Sequence, residues 1–132
     1  LEAAGVQAPN SINGVKQAPI DGISLAYTWD DAQAAGRRTT QYFELFGNRG
    51  IYHDGWTAAA RHSIPWILMA TPPLADDKWE LYDTRADFSL ANDLAKENPA
   101  KLKEMQELFL VEAARHQQAT DDIVLGVAEA AS

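Results

Sequence analysis

The spacing of apolar and polar positions divides the chain into three stretches. From Leu1 to about Arg38, apolar residues such as Val6, Val15, Ile20, Ile23, Leu25 and Tyr27 stand apart. Pro9, Asn10, Asn13, Gly14, Pro19 and Gly22 punctuate them every few residues. No period of two or 3.6 survives such punctuation, so this stretch reads as a connector lying on a surface. "LEAAG" reads as a helix end closed by Gly5, since glycine suits the left-handed position after a helix. There is no Met before it, so the rest of that helix is expected to lie outside this sequence. "TWDDAQAAG" (Thr28 to Gly36) reads as a short helical turn.

Past Arg38 the pattern tightens. "TTQYFELF" (Thr39 to Phe46) is β-branched and aromatic, as strands are. Gly47-Asn48 is the turn expected next, and "RGIYH" (Arg49 to His53) the second strand. Asp54-Gly55 is a strong hairpin dipeptide, because both central positions want positive φ. "WTAAAR" (Trp56 to Arg61) is the third strand despite its alanines. "SIPWILMATPPLADD" makes a long connection. "KWELYD" (Lys78 to Asp83) is the fourth strand, with Trp79, Leu81 and Asp83 on one face and Glu80 and Tyr82 on the other.

"TRADFSLANDLAKENP" is rich in turn residues, with one helical turn expected at its end. Asn98-Pro99 is a helix start, with Asn as N-cap and Pro at the first helical position. Leu102, Met105, Leu108, Phe109 and Ala113 then fall on one helical face, which predicts a helix to about His116. From Gln117 the chain holds small apolar residues without a firm period, open to a short helix or an extension. The fold class is therefore α+β: a four-stranded antiparallel meander with a C-terminal amphipathic helix packed on one face. The organisation is a 1–37 arm, a 38–116 subdomain and a 117–132 tail.

Composition narrows the functions. At 132 residues and 46% hydrophobic, the chain has length enough for one core. Its net charge of −8 disfavours nucleic acid and anionic membrane as partners, since both call for clustered Lys and Arg. Only Arg37-Arg38 are adjacent among the basic residues. With no cysteine there is no thiolate nucleophile and no Cys-ligated zinc. No apolar run nears the ~20 residues that span a bilayer; "IPWILMA" (Ile64 to Ala70) is the longest.

Candidate chemistry is sparse. His53-Asp54 suggests an acid–base pair, but Asp54 is better explained as a turn residue and His53 as a strand end. His53, His62 and His116 lack metal-ligand spacing. The pairs Asp30-Asp31, Asp76-Asp77 and Asp121-Asp122 are read as solvated turn acids. Tyr42, Phe43, Phe46, Tyr52, Trp56, Trp66, Trp79 and Tyr82 are read as aromatics of a sheet core, not as a stacking platform for bases.

The order of motifs resembles the C-terminal part of the arylsulfatase family over roughly residues 1–116. After the "LEAAG" phrase comes P-I-x-G-x-S, at Pro19, Ile20, Gly22 and Ser24. F-G-N-R-x-I follows at Phe46 to Arg49 and Ile51, then G-W at Gly55 and Trp56. W-E-L-Y-D spans Trp79 to Asp83, and N-D-L-A spans Asn92 to Ala95. Residues 117–132 depart from the pattern. The resemblance implies a small subdomain, four antiparallel strands under a helix, attached to a catalytic domain. Sulfate-ester hydrolysis in that family uses a formylglycine, made in a C/S-x-P-x-R phrase, and a calcium ion held by Asp and Asn. Both belong to the larger domain.

This chain has no Cys, and its Ser63-Ile64-Pro65 is followed by Trp66 and Ile67 where an Arg is required. The resemblance therefore carries over no catalytic, cofactor-binding or metal residue. It leaves two function classes: a non-catalytic structural or interaction domain, or one piece of a working sulfatase. Ligand binding on the aromatic sheet is a third class without specific residues behind it. The partners expected are a second copy of the chain or a sulfatase catalytic domain.

Overall fold

The computed structural model describes residues 1–18, 20–63, 66 and 72–116. The chain forms two compact units, Leu1–Arg38 and one that begins at Thr39.

Leu1–Arg38 has no buried residue among those described. Glu2–Ala4 is a single 3₁₀ turn closed by Gly5 at φ 65°. Gly5 takes the left-handed conformation expected of it, after a 3₁₀ turn. A miniature hairpin not expected from the sequence pairs β1 (Ser11–Ile12) with β2 (Val15–Lys16). Asn13 and Gly14 supply positive φ, 50° and 80°, as a two-residue turn of this hand requires. The signal was present as Asn-Gly between Ser-Ile and Val-Lys. The helical turn expected from Thr28 falls earlier, at Ala26–Thr28.

The second unit is the α+β meander: β3 (Thr40–Leu45), β4 (Asn48–His53), β5 (Trp56–Ala60) and β6 (Trp79–Asp83), antiparallel in chain order. Helix α1 (Pro99–Arg115) packs on one face. The register aligns Tyr42, Ile51, Ala58 and Leu81 across the four strands on one face. Ile51, Ala58 and Leu81 are fully buried there, together with Met105, Phe109 and Ala113 of α1. Each large side chain so buried contributes roughly 1.5–3 kcal/mol. Of the alanines of β5, poor strand formers, Ala58 and Ala60 are buried on the helix side, and Ala59 faces the other way.

Trp79, Leu81 and Asp83 share the helix-side face and Glu80 and Tyr82 the other, as the alternation requires. The helix begins at Pro99 as expected, but the Asn98 side chain makes no capping bond. The helical turn expected before it is present as one isolated turn, in which the Glu97 and Asn98 N–H groups both donate to the Leu94 carbonyl.

Two corrections concern the sheet. The first turn is centred on Phe46-Gly47, with Leu45 opposite Asn48. Both turn residues have positive φ, 54° and 80°. Asn48 joins the strand instead, and its side chain ties down the chain beyond β5.

The second correction is to the aromatic core. Of the eight aromatics assigned to it, only Trp79 is buried. Tyr42 and Trp56 pack partly against the core from the helix side. Phe43 and Tyr52 point to the face opposite α1, and Phe43 stays 56% exposed. Phe46 lies exposed at a turn tip. The ring at the centre is Phe109 of the helix, 5.0 Å from Tyr42 and 5.6 Å edge-on to Trp79. Period two assigns residues to a face; it does not say which face a helix will cover.

Candidate functional site

A dense set of polar side chains gathers where β4 starts. Asn48 accepts the His62 N–H at 2.9 Å and the Ser63 N–H at 3.3 Å through its side-chain oxygen. Its amide donates to the carbonyls of Leu45 and Ser63, each at 2.9 Å. Four bonds from one side chain staple the exit of β5 to the first hairpin.

Arg49, next along, falls on the helix-side face in phase with Ile51 and is buried. A buried guanidinium needs a counter-ion. Asp77 provides it, pairing directly with Arg49 Nη2, which also donates to the Leu74 carbonyl at 3.0 Å. His62 Nδ1 lies 3.0 Å from the same carboxylate. Burial, the largest influence, draws the Arg49 pKa below its usual value; the charge and hydrogen bond of Asp77 oppose it. Arg49 Nε and Nη1 are buried without a hydrogen-bond partner among the described residues.

Asp77 therefore corrects the sequence reading: it is an interior counter-ion, not a solvated turn acid. The reason is Arg49, whose strand phase places a cation indoors. That phase was the signal available in the sequence. Asp76 beside it is exposed, as expected.

An imidazole with Nδ1 on a carboxylate is the orienting half of a general base. Here the rest of such a set is otherwise engaged. Ser63 Oγ donates to the Phe46 carbonyl at 2.9 Å. Asp77 is shared with Arg49. The imidazole packs on Gly47, where an added Cβ would come within 2.6 Å of His62 Cδ2. Chemically the cluster holds loops together.

The other candidates stay apart from it. His53 Nδ1 is 2.8 Å from Thr40 Oγ1, and its Nε2 is 3.7 Å from the carboxylate of Asp54. Asp54 occupies the turn at φ 43°, so the backbone role expected of it holds. His116 stacks on Tyr42 at 5.9 Å and lies 3.5 Å from Glu112. Asp31 caps its own turn, accepting the Gln33 N–H at 2.9 Å. Asp121 and Asp122 lie outside the described residues, as does most of the "IPWILMA" stretch; Trp66 within it is exposed.

Burial, with some repulsion from Glu44, pushes the Tyr42 phenol up to about 12, and its hydroxyl has no partner among the described residues. In Leu1–Arg38 an open hollow of about 440 Å³ is lined by Ile23, Leu25, Tyr27, Arg37 and Arg38, among others. Arg37 stacks over the Tyr27 ring at 4.0 Å. Among the described residues no three His, Asp or Glu side chains group as metal ligands would. No helix among them is long and apolar enough to cross a membrane.

Comparison with known proteins adds no assignment: no family model matches this chain, and no curated protein matches it.

Proposed function

We propose that this chain is a non-catalytic structural or interaction domain of the kind found at the C-terminal end of arylsulfatases. The observation that carries the reading is how the F-G-N-R phrase is used. Phe46 and Gly47 form the turn, Asn48 staples two loops, and Arg49 anchors Asp77 and, through it, His62. Every residue of the most distinctive motif thus has a structural task. The four strands under a helix are also what the resemblance implies. On this reading the chain holds no formylglycine and no calcium of its own, and it associates with a second copy of itself.

One observation favours a runner-up, in which the chain is the C-terminal part of a working sulfatase. Val15, Ile20, Leu25 and Trp29 are each more than 60% exposed, apolar surface of a sort that a catalytic body would cover.

Hydrolysis of aryl sulfates by the purified chain tests the first reading. No turnover above buffer is expected, and turnover that persists through repurification would overturn it. Co-expression with a sulfatase catalytic domain tests the runner-up, which expects a stable complex with restored turnover.

A further inference from the structure

The two edges of the sheet are treated differently by the chain. On β6, the backbone groups facing away from β5 are those of Trp79, Leu81 and Asp83, because Glu80 and Tyr82 bond inward. The chain itself closes this edge. The Leu81 N–H donates to Asp93 Oδ1 at 3.0 Å, and the Leu81 carbonyl accepts the Leu94 N–H at 2.7 Å. The Asp83 carbonyl accepts the N–H groups of Ala86 and Asp87.

On β3 the same reasoning starts from the tight turn at Phe46-Gly47. Leu45 and Asn48 close it as a hydrogen-bonded pair, so Leu45, Phe43 and Gln41 bond inward and Glu44, Tyr42 and Thr40 face outward. Among the described residues one bond falls on those outward groups: Gln41 Nε2 donates to the Tyr42 carbonyl at 2.7 Å. The strand has no Pro, no Lys and no bulge, the usual guards of an exposed edge.

We infer that β3 is the interface on which a second copy of this chain docks, edge to edge and antiparallel, with Tyr42 on the two-fold axis. The inference rests on the self-association in the proposed function and names the surface that carries it. Centred on Tyr42, each outward residue meets an outward residue: Tyr42 meets Tyr42, and Thr40 meets Glu44 of the second copy.

Charge favours this register. Glu44 faces a threonine hydroxyl, and the two Glu44 carboxylates stand about 13 Å apart, four residues of strand rise. A register shifted toward the turn brings these acids together, which a chain of net charge −8 tolerates poorly. On the face away from α1, Phe43 gains the stem of Gln41 and lies diagonal to Phe43 of the other copy. It and Leu45, 56% and 61% exposed, both lie on the strand that docks. The Gln41 amide occupies the position on the Tyr42 carbonyl that the second copy's N–H takes over.

Sedimentation equilibrium and site-resolved amide exchange on the full chain test this. A dimer is expected, with exchange at Thr40, Tyr42 and Glu44 slowing about tenfold for a tenfold rise in dimer-to-monomer ratio. Leu81 exchange stays fixed, because its partner is in the same chain. Glu44→Pro removes an outward N–H and no backbone bond of the internal ladder, although it also removes the carboxylate that accepts the Gly47 N–H at 2.9 Å. It is expected to give monomer with Leu81 still protected.

A wild-type dimer whose Thr40, Tyr42 and Glu44 amides exchange at one rate at every concentration overturns the β3 assignment alone. So does a Glu44→Pro variant that keeps both its fold and its dimer. A wild-type monomer at all concentrations overturns the self-association as well.

Discussion

The hairpin at Asn13-Gly14 and the hairpin at Phe46-Gly47 share a turn and little else. Their second turn residues sit at the same φ of 80°, and their first at 50° and 54°. Yet the first hairpin joins two-residue strands with every residue exposed, whereas the second joins six-residue strands that bury Ile51 and Arg49. Good turn chemistry starts a hairpin; what lies against it decides whether it belongs to a folding core. Asn-Gly is the better turn dipeptide of the two, and it stands in the unit where no described residue is buried. Phe46 is a poor one, held in a left-handed conformation that costs about 1–2 kcal/mol, because Asn48 and Gly47 are both committed to the chain beyond β5.

If the buried cluster is what separates these hairpins, the largest effect comes from removing its anion. Asp77→Ala leaves Arg49 as an uncompensated interior charge and is expected to cost about 3–5 kcal/mol, read by urea unfolding. Replacing both partners, Arg49→Met with Asp77→Leu, is expected to recover much of that loss. A double variant worse than Asp77→Ala would mean that the cluster does more than neutralise itself.

A smaller effect compares the two glycines directly. Gly47→Ala strains a positive φ and drives a methyl group into His62, for about 2 kcal/mol or more of lost stability. Gly14→Ala meets nothing within 4 Å. It strains only the exposed hairpin, and the thermal midpoint should stay within about 1 °C of wild type, since that hairpin contributes little burial. Equal losses from the two substitutions would erase the distinction drawn above.

The smallest effect appears at high pH. Burial first, and Glu44 second, raise the Tyr42 phenol to about 12; burial and the hydrogen bond to Glu80 raise that of Tyr82 to about 12. A raised folded pKa means that the folded state favours the protonated phenol. The stability so gained is complete below the ordinary value of 10.0 and is lost as pH climbs through about 12. Tyr42→Phe with Tyr82→Phe should flatten that alkaline decline. Tyr42→Phe alone should change stability at pH 7 by less than about 1 kcal/mol, because its buried hydroxyl has no partner to lose among the described residues.

Much of the fold was legible in the residues. The four strands, their order, the alternation in β6 and the helix from Pro99 all follow from period and punctuation. Less of the cluster was legible. Asp77 looks like any loop acid, and His62 like an isolated histidine, until Arg49 is seen to share the phase of Ile51. Their meeting joins positions 28 residues apart, and no local pattern encodes it.

By itself the sequence determined what depends on near neighbours: turns with positive φ, strand periodicity, the apolar stripe of α1, and the lack of cysteine. Tertiary structure decided what depends on contact between distant segments. It chose which sheet face the helix covers, leaving Phe43 and Leu45 exposed and placing Phe109 at the centre. It turned Asp77 inward, and it closed the β6 edge with Asp93 and Leu94. The physical reason is one of range. Backbone conformation responds to steric and hydrogen-bonding limits within a few residues, whereas burial and charge pairing are set only once strands and helix have met.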